Sequence, residues 1–334
     1  MAGRPEIAVI GAGLAGVRLA GLLRDVATVK IFEKSRGTGG RMSTRRAEGF
    51  QFDHGAQYFT ARGEAFRAFL APFIASGTVA EWKPRLRAAP SDRQTDELRW
   101  NASRYVGVPA MNSLCKAAAG ALAVAHGDAV RTLHRHADGW KLELASGEEA
   151  GPFAAVLSTA PAVQTAALLP QEMSGRAALE GARMLGCYSL MCGFVDLPDL
   201  GWDALVCDGS PLAWIAAGHS RPGRTDAAAL LCQTSNAWAE ENLERDQQDI
   251  QQELLSALAD ATGLNTDAAS YVSLHRWRYA AVQTPAGRPC LFDPDLGVGA
   301  AGDWCEHGRV EAAFDSAEAL AAEVKSYLAR KGFR

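Results

Sequence analysis

The chain has 334 residues, of which 48% are hydrophobic and 22% charged, with a formal net charge of −4. That length exceeds what one hydrophobic core usually serves, and the composition is that of ordinary globular proteins, which excludes a disordered or fibrous chain. The mildly acidic balance gives no field to steer nucleic acid, there is no basic amphipathic arm to lie on a membrane, and no window approaches the roughly 18 apolar residues of a membrane helix.

The first residues run directly into the apolar stretch 7–10 without the pattern of a signal peptide, so a cytoplasmic location is expected. Residues 6–10 alternate apolar and β-branched types and meet Gly11-Ala12-Gly13-Leu14-Ala15-Gly16, after which Val17, Leu19, Ala20, Leu22 and Leu23 recur at helical spacing. Strand, tight turn and helix are predicted. A second strand over 28–32 ends at Glu33, with Lys34 next, completing a βαβ unit with an acid about twenty positions past the glycines. Gly11 permits the sharp turn, Gly13 lets backbone N–H groups approach a pyrophosphate, and Gly16 lets the helix pack on the strand. Glu33 can accept the hydroxyl hydrogens of an adenosine ribose, a role that suits FAD and NAD equally.

Gly37-Thr38-Gly39-Gly40-Arg41-Met42 reads as a flexible basic loop, 50–59 as a strand-like run, 64–75 and 109–122 as amphipathic helices, and 88–97 as a polar surface loop. Strands over 129–137 and 140–145 meet at Asp138-Gly139, a hairpin signal, and 153–157 is a third strand. Alternating, aromatic-containing segments over 185–233 predict an antiparallel sheet, completed by a helix over 240–261 and a strand over 271–279. Alternation along that strand puts His275, Trp277 and Tyr279 on one face and Arg276 and Arg278 on the other. Residues 289–301 lead into Gly302-Asp303-Trp304, and a closing helix starts at Val310.

The fold class read from this order is α/β. A Rossmann-type dinucleotide-binding domain over 1–80, 105–165 and 285–334 is expected to interleave with an antiparallel-sheet substrate domain carrying helices, over 81–104 and 166–284. Seven scattered cysteines without a C-x-x-C pair predict reduced, mostly buried thiols and no metal site.

Gly39-Gly40-Arg41 separates FAD from NAD, because two glycines bring the loop near a diphosphate and the guanidinium clamps phosphate bidentately. Here the chain resembles the flavin-dependent amine oxidase superfamily, whose first βαβ unit is followed by such a segment. Gly39-Gly40-Arg41-Met42-Ser43-Thr44-Arg45-Arg46, Phe52-Asp53-His54-Gly55-Ala56-Gln57-Tyr58-Phe59-Thr60, Pro211-Leu212-Ala213-Trp214-Ile215, His275-Arg276-Trp277-Arg278-Tyr279-Ala280 and Gly302-Asp303-Trp304 are similar, in order along nearly the whole chain, to the bacterial members of the renalase family.

That resemblance implies a glutathione-reductase-like or amine-oxidase-like domain holding FAD non-covalently; Cys305 lacks the surroundings of a covalent flavin attachment. It implies that Ala15 and Arg41 lie on the diphosphate, Gln57 and Tyr58 near the flavin ring, and Val130 at the adenine. Gly302 and Asp303 meet the ribityl and diphosphate part, and the helix from Val310 directs its N-terminus at the isoalloxazine. Ala12, Lys34, Gly40 and Met42 complete the implied cofactor set.

The resemblance also implies an oxidase that takes hydride from 2- or 6-dihydro isomers of NAD(P)H and passes the electrons to O2, giving NAD(P)+ and hydrogen peroxide. A dihydropyridine expels hydride with its own electron push, so the site needs positioning and no protein base. Tyr58, Trp214, Trp277 and Tyr279 are the candidate ring walls, core packing being the alternative role of each. His275, Arg276 and Arg278 are candidates for polar or phosphate groups, and the basic loop 218–224, with Arg221 and Arg224, for the substrate's diphosphate at a cleft mouth. The expected partners are this dinucleotide and O2, in a monomer or homodimer. A flavin amine oxidase, a non-catalytic FAD-binding redox protein and an NAD-dependent dehydrogenase remain open alternatives.

Overall fold

The computed structural model describes residues 4–89, 102–225 and 227–332. Two six-stranded sheets organise the chain.

The first has the order Leu291–Asp293, Val298–Ala300, Ala155–Ser158, Glu6–Ile10, Thr28–Glu33 and Ala123–His126. It is parallel except for the terminal hairpin of Leu291–Asp293 with Val298–Ala300. Its central strand is buried on both faces, which is why residues 7–10 are apolar without interruption. Ile7 and Val9 pack with Leu19 and Leu23 of helix Leu14–Leu23 and with Leu320 and Val324 of helix Val310–Arg330. Ala8 and Ile10 face the other way, onto Trp140, Leu142 and Phe153. These three belong to a three-stranded antiparallel sheet of Val130–His136, Gly139–Leu144 and Glu149–Phe153.

The second sheet has the order Ala269–Thr284, Arg183–Phe194, Ala229–Thr234, Leu212–Ala217, Ala204–Cys207 and Leu86–Ala89, antiparallel except for its last, parallel pair. Helix Gln247–Thr262 covers one face, with Leu254 and Leu258 against Tyr188, Leu190, Ile215 and Leu230. The opposite face turns toward the first sheet's loops, through Met191, Leu231 and Phe52 and through Ala204 and Ala216. The space between those loops and this face is where the candidate residues gather.

Several expected elements differ, each for a local reason. The helix over 240–261 is two helices, Asn236–Asn242 and Gln247–Thr262, because the Asp246 carboxylate accepts from the Gln248 and Asp249 amides and starts a new N-terminus. The helix over 109–122 shrinks to Ser113–Ala119, since the Met111 amide donates to Asp53 and Thr44 instead of to a helical carbonyl. The strand-like run over 50–59 reduces to the strand Phe50–Phe52 and an isolated antiparallel bridge of Phe59 with Tyr105, and the strand over 271–279 lengthens to Ala269–Thr284. Strand Leu86–Ala89 takes the first two residues of the expected loop over 88–97; the rest of that loop lies outside the described residues. The cysteines are unpaired and buried, Cys290 only half-buried. No helix among the described residues is long and apolar enough to cross a membrane.

Candidate active site

Two glycine turns meet edge to edge at the C-terminal end of the first sheet. Gly11 has a φ of +103°, comfortable only for glycine, and its amide donates to the Phe32 carbonyl at 2.8 Å. A Cβ on Gly16 would sit 1.9 Å from the Gly11 oxygen, so the helix rests directly on the turn. Helix Leu14–Leu23 has no side chain capping its start, which leaves its first amides for an anion. Below the turn, buried Glu33 accepts from the Ala12 and Ser35 amides, both at 2.8 Å, one through each carboxylate oxygen. Each oxygen keeps a further lone pair for a ribose hydroxyl. The second turn joins when the Gly39 amide donates to the Ala12 carbonyl at 2.9 Å, and a Cβ on Gly40 would lie 3.3 Å from the Gly13 Cα.

Arg41 follows, and its guanidinium grips Asp303 at 2.8 and 2.5 Å and reaches the Ala280 carbonyl at 3.3 Å. Asp303 is fixed from behind: its carbonyl accepts from the His307 and Gly308 amides, and Gly302 donates to Ser316 of the closing helix. That helix begins at Val310 without a side-chain cap, and Glu311 of its first turn accepts from the Arg62 and Gly63 amides. Two glycine turns in contact, two helix starts without side-chain caps, a buried acid at the end of the second strand and a guanidinium form a donor set that fits FAD.

The other implied cofactor residues fall around this cradle. The side chains of Ala15 and Met42 are packed into core clusters, so only their backbone faces outward. Lys34 is exposed and its Nζ meets Gln164 at 3.4 Å. Val130 opens its strand shortly after His126, whose Nε2 lies 3.0 Å from the Thr38 hydroxyl, beside the end of the Glu33 strand.

Residues 53–58 carry the second half of the site. A Cβ on Gly55 would lie 1.9 Å from the Arg41 carbonyl, which instead accepts from the Ala56 amide at 2.8 Å. Gln57 is buried and saturated: its amide donates to the Asp53 and Gly55 carbonyls, while its oxygen accepts from Arg221 at 2.6 Å and from the Trp214 indole at 3.3 Å. Tyr58 sits in an aromatic cluster, 6.0 Å from Trp214 and 6.4 Å from Trp82 between ring centroids. At the other end of the segment the Trp277 indole donates to the His54 carbonyl at 2.8 Å, with the His54 ring stacked 5.3 Å away and His275 edge-on at 4.4 Å from Trp277. Tyr58 and Trp214 therefore gather at the Gln57 end of the 53–58 segment, and His275 and Trp277 at its His54 end.

A sequence profile of flavin containing amine oxidoreductases matches residues 87–325, and one of an NAD(P)-binding Rossmann-like domain matches residues 9–73. The chain belongs to the flavin containing amine oxidoreductase family. Solved structures agree in fold. A protein of Exiguobacterium sp. 255-15 assigned as a protoporphyrinogen oxidase is 13% identical, with a TM-score of 0.74 over 97% of this chain and 99% of that one. The cyclohexylamine oxidase of Brevibacterium oxydans IH-35A is 15% identical, with a TM-score of 0.72 over 98% and 100%. A putrescine oxidase is 11% identical, with a TM-score of 0.69 over 96% and 99%. The protein is thus an FAD-dependent, amine-oxidase-like oxidoreductase of mixed α/β fold.

Within this family member, the charges around Tyr58, Trp82 and Trp214 are arranged differently from the sequence expectation. The loop over 218–224 is no cleft mouth, because its arginines turn inward. Arg224 binds Asp53 at 3.0 and 2.6 Å, and Arg221, almost fully buried, stacks 4.6 Å from the Trp82 centroid. Burial pulls the Arg221 guanidinium down to about 10, although Asp53 opposes it. Burial pushes the Asp53 carboxyl up, but Arg224, Arg221 and the Thr44 hydroxyl outweigh it and hold it below its ordinary value. Arg276 and Arg278 spend their donors on the Leu243 carbonyl and on Glu244, away from the rings. Next to Tyr279 the pairing slips by two residues between Trp277, opposite Cys187, and Ala281, opposite Leu185.

Sequence reasoning missed Asp53, His54 and Trp82. Burial, with His275 and Arg45 nearby, lowers the His54 imidazole to about 4, and burial with Arg45 lowers His275 to about 4. Both rings are neutral at physiological pH. Among the described residues no group of acids, histidines and cysteines is gathered to hold a metal.

Proposed function

We propose that this protein is a renalase-like oxidase, which oxidises 2- or 6-dihydro isomers of NAD(P)H with O2 to give NAD(P)+ and hydrogen peroxide. The observation that carries the reading is the charge on the ring pocket. The Arg104 guanidinium stands 4.9 Å from the Tyr58 centroid, so the aromatic face an ammonium would use is already covered by a cation. An anionic dinucleotide suits such a lining, and a cationic amine is repelled by it.

Bound FAD supplies the hydride acceptor and the route of electrons to dioxygen. Gly11, Ala12, Gly13, Ala15, Gly16, Gly40, Arg41 and Met42 hold its diphosphate side, Glu33 its ribose, Lys34 and Val130 flank the adenosine, and Gly302, Asp303 and Val310 approach its ribityl and ring. Cys305 is buried and burial pushes its thiol to about 12, which supports non-covalently held FAD.

On the substrate side, Trp277 is a wall whose plane is fixed by its bond to the His54 carbonyl, and Tyr58 and Trp214 are fixed through the Gln57 segment. Two neutral imidazoles offer hydrogen-bond partners to a carboxamide without competing for a proton. No general base is required, since the dihydropyridine nitrogen drives hydride out by itself. The second sheet and its helices form the substrate domain, and the first sheet the cofactor domain.

The amine-oxidase reading retains the support of the family and of the structures of amine-oxidising enzymes. Steady-state peroxide release separates the two. Borohydride-generated dihydronicotinamide isomers are expected to drive turnover while putrescine and cyclohexylamine do not; the reverse pattern overturns the proposal.

A further inference from the structure

We propose that Arg45, with Ser43, Ser273 and His275, forms a subsite for the phosphate groups of the substrate. This inference rests on the dihydronicotinamide dinucleotide reading above.

Strand Ala269–Thr284 is the edge of its sheet, and the hairpin of Arg45–Ala47 with Phe50–Phe52 lies along its face. Contacts follow the strand in order. Tyr271 stacks on Phe52 with centroids 5.6 Å apart, the Ser273 hydroxyl accepts from Arg45 at 3.1 Å, and His275 meets the His54 ring at 4.9 Å. Trp277, the proposed ring wall, comes next. The strip is apolar at its Tyr271 end and polar from Ser273 onward, where every side chain remains partly exposed. Ser43 closes its polar part through a 3.3 Å contact with the His54 Nε2.

Charge distinguishes Arg45 from the arginines around it. Arg41, Arg224 and Arg278 each pair with a carboxylate, that of Asp303, Asp53 and Glu244 in turn. Arg45 meets a neutral hydroxyl, and among the described residues no carboxylate lies within ion-pair distance of it. Asp53, which follows its hairpin partner Phe52, is already occupied by Arg224 and Arg221. A half-buried guanidinium without a counter-charge, flanked by two hydroxyls and a neutral imidazole, is complementary to a phosphate, which it can clamp bidentately.

The spacing fits as well. At about 3.3 Å per residue, Ser273 is on the order of 13 Å along the strand from Trp277. A nicotinamide held at Trp277 would carry its ribose past His275 and its 5′-phosphate into the reach of the Arg45 side chain. Selection of nucleotides over uncharged dihydronicotinamides would then originate here, and not in the loop over 218–224.

Calorimetric titration of the FAD-loaded enzyme with ADP-ribose, and separately with inorganic pyrophosphate, tests the subsite. Arg45→Gln is expected to weaken ADP-ribose binding by roughly tenfold or more, and Arg45→Lys by less, because it keeps the charge and loses the fork. Arg46→Gln, on the exposed side of the same strand, is expected to change it by less than about twofold. Equal affinity of Arg45→Gln and wild type, or an equal loss in Arg46→Gln, overturns the subsite. Pyrophosphate binding as tight as ADP-ribose overturns the dinucleotide as its occupant. If wild type leaves dihydronicotinamides unoxidised while Arg45→Gln still loses ADP-ribose, the proposed function falls and the phosphate site stands. If the isomers are oxidised while Arg45→Gln binds ADP-ribose as wild type does, the subsite falls and the proposed function stands.

Discussion

The Arg41 guanidinium spans 262 positions of sequence to hold both carboxylate oxygens of Asp303, at 2.8 and 2.5 Å. It ties the second glycine turn to the turn before the closing helix, so two distant segments are held as one unit. In the proposed cofactor site, removing it would withdraw a phosphate clamp and leave Asp303 without its counter-charge. Arg41→Ala is expected to weaken FAD binding roughly 10- to 100-fold, the equivalent of about 1.5–3 kcal/mol for charged hydrogen bonds. Fluorescence titration of the apoprotein with FAD measures it.

FAD removal is expected to lower the thermal midpoint of wild type, because a ligand that binds only the folded state stabilises it by mass action. The FAD-dependent gain should shrink in Arg41→Ala, as read by differential scanning fluorimetry with and without added FAD.

Gly55 is the point where the 53–58 segment touches the Arg41 backbone. A Cβ there would lie 1.9 Å from the Arg41 carbonyl, which belongs to backbone and has no rotamer to give. Gly55→Ala is expected to cost about 1–3 kcal/mol of stability, the usual range for overpacking, and to reduce FAD occupancy at the same time. Urea unfolding and the visible spectrum report the two effects on one sample.

Asp53 joins Arg224, Arg221, Thr44 and the Met111 amide in a buried cluster. Asp53→Asn leaves two guanidiniums without their counter-charge, and is expected to destabilise by about 3–5 kcal/mol in chemical denaturation. The pH dependence follows from the lowered carboxyl. Its contribution is complete above the ordinary value of about 3.9 and is lost as pH falls through the depressed folded value. Wild type should therefore lose stability more steeply than Asp53→Asn below about pH 4.

His54 and His275 act in a different window. Both are lowered to about 4, so between there and the ordinary value of about 6.5 the unfolded chain binds more protons than the folded one. Stability should rise with pH across that interval and level off above it. His275→Asn is expected to flatten the rise, as measured by denaturant midpoints between about pH 4 and 7.

What was legible in the sequence was local. The turn at Gly11 to Gly16, the acid Glu33 and the continuous apolar strand before them are set by near neighbours and by burial on both faces, and they stand as expected. The Asp246 cap that splits the second-sheet helix was also local and could have been found from an aspartate placed ahead of Gln247-Gln248-Asp249. The charge pattern of the pocket was not legible. Arg224 meets Asp53 across 171 positions and Arg221 meets Gln57 across 164, and nothing in a basic, turn-rich loop distinguishes an inward guanidinium from a solvated one. The slip after Trp277 likewise depends on the neighbouring strand, and a simple two-residue alternation does not show it.

The most direct test is anaerobic stopped-flow reduction of the yellow holoenzyme by a purified 6-dihydro isomer of NADH. A single rapid loss of flavin absorbance, yielding NAD+ in equal amount and peroxide once air is admitted, is the predicted result. Flavin that stays oxidised with the 2- and 6-dihydro isomers but bleaches with putrescine or cyclohexylamine would contradict the account.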